Sequence, residues 1–305
     1  MPPGPIQRIA LVGFGEVGGI FGRDFAKQGI DVSVYDILFH SPESREPMLA
    51  KARDCGVRAC ESLAECVHNA DLVISAITAS SSIDVARDAS KTLHAGQVFM
   101  DINSVSPGTK RADAAHVERS GAHFVESAVM APVPPQRLKV QMLLGGKYAA
   151  ELAPRLNAIG MAATAVSESV GVASAVKMCR SVMIKGIEAL AVECLFAAHR
   201  YGAEEAVLAS LDATYPQMGW REKLPDYLVS RVAEHGRRRA EEMREVAQTL
   251  RDVGVDPMMA EATAERQDHL VDEMAAQNLK YPELTPFSWI ALAELLSKAA
   301  SGKKD

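Results

Sequence analysis

The segment that most constrains the fold lies near the start of the chain, where an apolar run leads into a glycine-rich turn. Residues 9–12 are Ile, Ala, Leu and Val, and the next six are Gly13-Phe14-Gly15-Glu16-Val17-Gly18, a Gly-x-Gly-x-x-Gly pattern. This pattern predicts a tight turn at its first glycine, close backbone approach at its second and close helix packing at its third. The N–H groups at the start of the following helix would then face an anion. We therefore expect all six residues, Gly13 through Gly18, to hold the pyrophosphate of a dinucleotide.

A second strand-like run, residues 31–35, ends at Asp36, 23 residues after Gly13. A carboxylate at this spacing accepts a hydrogen bond from the ribose 2′-hydroxyl of a dinucleotide and repels a 2′-phosphate. Asp36 thus favours NAD as the cofactor. NADP stays open, because His40, Ser41 and Arg45 follow closely and could form a phosphate pocket. The alternative is a plain loop that ends in a solvated acid.

Composition sets the broad class. A chain of 305 residues is long enough for about two domains, and 48% hydrophobic with 24% charged residues is ordinary for a globular protein. A net charge of −6 argues against a nucleic-acid partner. Because we find neither a membrane-spanning apolar run nor a signal-peptide pattern at the first residues, we expect a cytoplasmic protein without membrane contact. Five cysteines without metal-site spacing predict no metal, and Cys55, Cys60 and Cys66 are expected to be buried thiols.

Strand-like and helix-like segments alternate through the first half. Further strand-like runs follow Asp36 at residues 70–76, 97–101, 122–126, 140–144 and 161–166. This alternation predicts an α/β fold, a doubly wound, mostly parallel Rossmann-type sheet, in a dinucleotide-binding domain over residues 1–166. Helical spacing follows from residue 169 to about 201, and then over 204–213, 227–253, a segment after Pro257, and 286–298. Residues 167–305 are therefore expected to form an all-helical domain for substrate binding and dimerisation.

Ligands of open parallel sheets lie beyond the carboxyl ends of the strands, where this chain has small and polar loops. The first is Ala76-Ile77-Thr78, the second contains Asn103-Ser104, and the third begins near Met130. We expect Ala76, Ile77, Thr78 and Asn103 to contact the cofactor, and Asn103, Ser104 and Met130 to contact the substrate. The alternative is that these loops only reverse the chain.

A second candidate cluster lies on the long helix. Lys177, Ser181, Lys185 and Glu188 are spaced by four, four and three residues, so they share one helix face among apolar neighbours. Desolvation disfavours an ammonium group, so a lysine in such surroundings can exchange a proton with a hydroxyl near neutral pH. Ser181 and Lys185 are candidates for substrate binding. The alternative is that the lysines extend to solvent and that Lys185 and Glu188 form a surface ion pair.

Four motifs in chain order resemble the β-hydroxyacid dehydrogenase superfamily, which includes 3-hydroxyisobutyrate and 6-phosphogluconate dehydrogenases. They are the glycine turn, the segment from Asp101-Ile102-Asn103-Ser104 to Pro107, the strand end near Ala128-Val129, and the segment from Gly171 to Lys177. The resemblance implies hydride transfer between a nicotinamide and a hydroxy compound, with a β-hydroxy acid or a relative as the expected substrate. It also implies that Lys177 is the general acid/base and that the protein is a homodimer. The C-terminal part resembles a branch whose helical domain has no assigned function.

Two positions depart from the superfamily pattern. Met130-Ala131-Pro132, or Pro134-Pro135-Gln136 in another alignment, stands where the family has a Ser-Gly-Gly loop that cradles a carboxylate. Ser181 stands where an asparagine is usual. Both changes favour a different or bulkier substrate. Two other functions stay open: an imine reductase, against which Lys177 argues, and a dinucleotide-binding sensor or structural protein without turnover.

Two further groups on the predicted helices have both a structural and a functional interpretation. The arginines of His235-Gly236-Arg237-Arg238-Arg239 could bind an anion, or they could pair with Glu241 and Glu242 four residues on in a solvated helix face. Trp220 and Tyr227 could line an aromatic pocket, or they could belong to the core.

Overall fold

A computed structural model describes residues 4–301, which form two compact units with a boundary between Lys177 and Met178. Two ends of the chain lie outside the described residues. They are residues 1–3, where we expect no signal-peptide pattern, and residues 302–305, at the end of the predicted helical domain. The first unit extends past residue 166, because the start of the next helix is hydrogen-bonded to the sheet. Within residues 4–301, no helix combines the length and apolar character needed to cross a membrane.

The first unit is built on one eight-stranded sheet. Its strands are β1 (Arg8–Val12), β2 (Asp31–Tyr35), β3 (Arg58–Ala59), β4 (Leu72–Ser75), β5 (Val98–Asp101), β6 (His123–Val129), β7 (Gln141–Gly145) and β8 (Ala162–Ser167). The strand order is β3-β2-β1-β4-β5-β6-β7-β8, and every neighbouring pair is parallel except β6 with β7. The predicted mostly parallel, doubly wound sheet is confirmed. Only β3 was missed, because two residues are too short to show a period.

Seven helices accompany this sheet within the described part of the first unit: α1 (Glu16–Ala26), α2 (Arg45–Cys55), α3 (Leu63–Val67), α4 (Ser82–Ser90), α5 (Pro107–Glu118), α6 (Val133–Gln136) and α7 (Ala149–Ala158). Side chains of β1 alternate between two cores: Ile9 and Leu11 belong to one apolar cluster, and Ala10 and Val12 to the other. Alternation of this kind is what strand geometry dictates when both faces of a sheet are covered. The chain crosses from one half of the sheet to the other between β1 and β4, so the ligand crevice is expected at that point.

All regular elements in the described residues of the second unit are helices. The long helix α8 (Val172–Arg200) begins in the first unit and continues into the second, followed by α9 (Glu204–Thr214), α10 (Leu224–Arg251), α11 (Met258–Ala276) and α12 (Trp289–Ser301). The predicted all-helical region is confirmed. Trp220 is buried in its core, whereas Tyr227 is 59% exposed, so these two side chains do not enclose an aromatic pocket.

Several apolar side chains of α8 are exposed. Val176, Met183 and Leu190 are spaced seven residues apart and are 43%, 64% and 56% exposed. Seven residues are close to two helical turns, so the three side chains form one stripe along the helix. An exposed apolar stripe of this kind is a surface that a second copy of the chain could cover, and the homodimer stays a prediction. The predicted burial of the thiols of Cys55, Cys60 and Cys66 is confirmed.

Candidate functional site

The glycine turn after β1 has the backbone geometry that its pattern predicts. Gly13 has a φ of 95°, and a Cβ atom there would lie 2.2 Å from the carbonyl oxygen of Ala76. A Cβ on Gly18 would lie 2.2 Å from the carbonyl oxygen of Gly13. Around Gly15, in contrast, no atom lies within 4 Å of an added Cβ. The turn is therefore packed at its first and third glycines and open at its second, which fits a pyrophosphate placed against bare backbone.

Asp36 joins the end of β2 to this turn. Its Oδ2 accepts a hydrogen bond from the backbone N–H of Phe14 at 2.7 Å, and its Oδ1 accepts one from that of Leu38 at 3.0 Å. Each carboxylate oxygen has room for a second donor, so these two bonds leave acceptor capacity. Asp36 is therefore held at the edge of the glycine turn, the place at which this fold binds a ribose.

Lys51, which the sequence did not single out, also holds the glycine turn. From α2 its Nζ donates to the carbonyl oxygens of Phe14 and Gly15, both at 2.7 Å, and it lies 4.6 Å from the centre of the Phe14 ring. Lys51 thus binds two successive carbonyl groups of the glycine turn and fixes their orientation. No sequence signal marks Lys51, because it lies inside an ordinary helix and meets the turn only in the folded chain.

Asn103 connects two of the predicted ligand loops. Its Oδ1 accepts from the N–H of Ile77 at 2.7 Å, and its Nδ2 donates to the hydroxyl oxygens of Ser75 at 3.0 Å and Ser82 at 3.4 Å. The side chain is only 6% exposed. These bonds make Asn103 a brace between the loops after β4 and β5, and its own contact with cofactor or substrate stays a prediction.

The neighbouring Ser104 differs from Asn103 in having an unused polar atom. Its Oγ is buried and has no hydrogen-bond partner among the described residues. A buried hydroxyl without a partner is costly and calls for an explanation, such as a ligand that completes it. Together with the open backbone at Gly15, this orphaned hydroxyl shows that the loops suit a polar cofactor or substrate.

A buried charged group lies behind the β5 loop and was not predicted. Lys110, which is fully buried on α5, places its Nζ 2.9 Å from Asp101 Oδ2 and donates to the Asp101 carbonyl oxygen at 2.9 Å. Asp113 accepts a 2.8 Å hydrogen bond from the Ser82 hydroxyl, the same group that receives the Asn103 amide. Burial, with the nearby negative charge of Asp101, raises the pKa of Asp113 to about 7.

The raised pKa of Asp113 predicts a pH-dependent stability. Between its ordinary pKa of 3.8 and about 7, the folded protein holds a proton that the unfolded chain has lost. Stability from this group is thus greatest at low pH, and it falls by about 1.4 kcal/mol per pH unit as pH rises through that window. Asp113→Asn is expected to remove this slope and to raise the free energy of unfolding at pH 8 more than at pH 5. Urea titrations at the two pH values check this, with exposed Glu118→Gln on the same helix as control; equal effects at both pH values would contradict it.

The segment that leads to Lys177 starts against α5, the helix that follows the Ser104 loop. Gly171, with a φ of 107°, packs so closely that an added Cβ would lie 3.2 Å from Pro107 Cβ, at the start of α5 and just after Ser104. Lys177 is half-buried on α8, five residues past its first residue, Val172. The first unit therefore contains the glycine turn, the Asn103 and Ser104 loop and Lys177. Ser181, one turn further along α8, is buried.

The loop after β6 offers few hydrogen-bond donors. Met130 uses its backbone N–H in a 2.9 Å bond to the carbonyl oxygen of Gln141. Residues 132, 134 and 135 are prolines, which have no backbone N–H. A carboxylate needs several donors to be bound, so this loop is poorly suited to hold one.

Lys185 and Glu188 do not form the surface ion pair that their spacing allowed. Lys185 is 5% exposed and its Nζ lies 2.6 Å from Glu242, whereas Glu188 is 1% exposed and pairs with Arg239. The shared face of α8 packs against α10, so each side chain meets an opposite charge there instead of solvent. Burial lowers the pKa of Lys185 and raises the pKa of Glu188.

This buried ionic layer, Lys185, Glu188, Arg239 and Glu242, separates two apolar clusters of the second unit. One cluster contains Met178 and Met243, and the other contains Leu195 and Val232. The solvated arginine face predicted on α10 is confirmed for Arg238, which pairs with Glu242 at 3.3 Å. Arg237 instead pairs with Asp268 and Asp272 of α11.

The fold and the glycine turn define a dinucleotide-binding protein of the Rossmann type. Residues 8–171 match the family model of the NAD binding domain of 6-phosphogluconate dehydrogenase, and residues 198–270 match DUF1932, a domain of unknown function. The chain belongs to the first of these families, which covers more than half of its length, and carries the second domain at its C-terminal side. The resemblance seen in the sequence is confirmed.

Individual relatives agree with this assignment. A solved structure of a conserved hypothetical protein from Sinorhizobium meliloti 1021 is 37% identical, covers 96% of each chain and superposes with a TM-score of 0.80. An uncharacterized 28.5 kDa protein of Methanothermus fervidus is 29% identical over 87% of this chain and 99% of its own. Human mitochondrial 3-hydroxyisobutyrate dehydrogenase is 22% identical over 67% of this chain and 60% of its own length. Family and fold support an oxidoreductase related to 3-hydroxyacid dehydrogenases and a nicotinamide dinucleotide cofactor.

Proposed function

We propose that this protein is an NAD-dependent dehydrogenase that transfers hydride between a nicotinamide and the hydroxyl-bearing carbon of a small hydroxy compound. One observation carries the proposal. A single compact unit contains an open glycine turn, a Ser104 hydroxyl without a partner among the described residues, and Lys177, whose segment begins with Gly171 packed against Pro107. The relationship to 3-hydroxyisobutyrate dehydrogenase supports a β-hydroxy acid or a close analogue as the substrate class.

The residues of this chain have separate roles in the proposed reaction. The turn from Gly13 to Gly18 binds the pyrophosphate, and Asp36 accepts a hydrogen bond from the ribose. The Ser104 hydroxyl donates a hydrogen bond to the substrate or to the carboxamide of the cofactor. Lys177 takes the hydroxyl proton during oxidation and returns it during reduction. A bound nicotinamide supplies or accepts the hydride.

A substrate panel tests this proposal by the change in nicotinamide absorbance. We expect turnover with hydroxy acids or their uncharged derivatives and with the matching carbonyl compounds. Each free acid should be paired with its amide, because the donor-poor loop after Met130 favours the uncharged member. Cofactor binding without turnover on the whole panel would support the sensor alternative, and reduction of imines alone would support an imine reductase.

Cofactor preference provides an independent test. The Asp36 carboxylate would repel the 2′-phosphate of NADP, and Arg45 is already bound to Glu61 at 3.1 Å and to the Phe39 carbonyl oxygen at 2.9 Å. We expect NAD to bind at least about tenfold more tightly than NADP, and Asp36→Asn to narrow that ratio by about tenfold. Calorimetric titration of both cofactors measures it, with exposed Asp31→Asn at the start of the same strand as control. A wild-type preference for NADP would overturn the assignment.

A further inference from the structure

A buried carboxylate holds the start of the helix that carries Lys177. Glu126, on β6, is fully buried. Its Oε1 accepts hydrogen bonds from the backbone N–H groups of Gly171 at 2.6 Å and Ala173 at 3.0 Å. Its Oε2 accepts from the N–H of Ser174 at 3.3 Å and from the Ser174 hydroxyl at 2.7 Å.

Four donors on one carboxylate satisfy much of the first turn of α8. The first N–H groups of a helix have no partners inside it, and the positive end of the helix dipole favours a negative charge there. Helices are usually capped by a neighbouring residue, but here the cap comes from a strand 45 residues earlier in the chain. The first turn of α8 is therefore tied directly to the sheet.

The sheet leaves room for this carboxylate at one glycine. Gly145 lies opposite Glu126 in the pairing of β6 with β7, and a Cβ at Gly145 would lie only 2.4 Å from Glu126 Oε1. Gly171 supplies the other close approach, since its φ of 107° is a backbone conformation that other residues rarely adopt. Two glycines and a strand thus form a site for one buried carboxylate.

We propose that Glu126 is the positioning residue for proton transfer at Lys177. Ser174, which Glu126 binds through two atoms, lies three residues before Lys177 and hence on the same side of the helix. By holding the first turn of α8, Glu126 fixes the position of the Lys177 amine relative to the substrate hydroxyl. The inference rests on the proposed function of Lys177, and it assigns to Glu126 no contact with substrate or cofactor.

Amide hydrogen exchange tests the positioning without any substrate. Glu126→Gln keeps the size of the side chain but replaces one acceptor oxygen with an amide donor. We expect exchange in residues 171–174 to become about ten- to a hundred-fold faster, as suits the loss of hydrogen bonds to a charged group. Exchange in β1 should not change, and exposed Glu118→Gln is the control. Exchange in residues 171–174 at the wild-type rate would overturn the proposal.

Kinetics then separate a positioning role from a general effect on folding. Glu126→Gln and Gly145→Ala, which displaces the same carboxylate, are both expected to lower kcat by about ten- to a hundred-fold, with little change in NAD affinity. In a Lys177→Met background, Glu126→Gln should cause no further loss, because both residues act on one step. An additional loss in that background, or an unchanged kcat in the single variant, would contradict the proposal. Full activity of Lys177→Met alone would instead refute the proposed function.

Discussion

Lys177→Met is expected to lower kcat by about 10²- to 10⁴-fold while NAD binding stays within about twofold of wild type. General acid/base groups contribute about that much to a rate, and methionine keeps most of the length of the side chain without its amine. The cofactor contacts proposed here come from the glycine turn and the loops after β4 and β5, so the loss should appear in the chemical step. Single-turnover rates with saturating NAD measure it.

Controls for this variant come from the same helix. Arg180→Met changes an exposed cation three residues further on and is expected to leave kcat near the wild-type value. Lys177→Arg keeps a positive charge but cannot act as a base near neutral pH, so it should be nearly as slow as the methionine variant. Turnover at the wild-type rate in Lys177→Met would exclude the lysine as the acid/base and return the sensor and imine reductase alternatives to consideration.

Arg239→Met is expected to lower the free energy of unfolding of the second unit by about 3–5 kcal/mol. Arg239 and Glu188 are an ion pair whose side chains are 12% and 2% exposed. Removing one partner of a buried pair leaves the other charge desolvated and unpaired, which is far more costly than losing a pair on the surface. The ionic layer lies between two apolar clusters, so water cannot easily replace the arginine.

The chain provides a selective probe for this measurement. Its two tryptophans, Trp220 and Trp289, are both buried in the second unit, at 8% and 4% exposure, so their fluorescence reports unfolding of that unit. Arg237→Met is the control, because this arginine lies two residues before Arg239 and its side chain is 53% exposed. It is expected to lower the free energy of unfolding by less than about 1 kcal/mol. Adding Glu188→Gln to Arg239→Met should recover part of the loss, because the buried charge is removed. A urea midpoint unchanged by Arg239→Met would contradict the expected cost of leaving Glu188 unpaired.

Much of the fold follows from short-range patterns. The glycine turn and the alternation of strands with helices predict the sheet, because they act through backbone sterics and through the period of apolar residues. The bounds of α9 follow for the same reason: the observed helix, Glu204–Thr214, differs from the predicted one by a single residue. β3 was missed because it has only two residues.

Short-range sequence patterns did not predict which charged side chains pair with each other. Spacing placed Lys185 and Glu188 on one helix face, but it did not show that this face packs against α10, where Glu242 and Arg239 lie. Lys110 with Asp101 and Lys51 with the glycine turn are further pairs that only packing brings together. Burial shifts the pKa of Lys185 and of Glu188, and burial depends on which elements meet.

The amino-acid sequence by itself therefore determines the glycine turn, since a positive φ at Gly13 and bare backbone at Gly15 are local properties of glycine. It also determines the family and, with it, the candidate Lys177. What holds the first turn of α8 is a tertiary matter, because Glu126 caps it from a strand 45 residues away. Local sterics act between neighbours in the sequence, whereas a buried carboxylate finds its donors only when sheet and helix have packed around it.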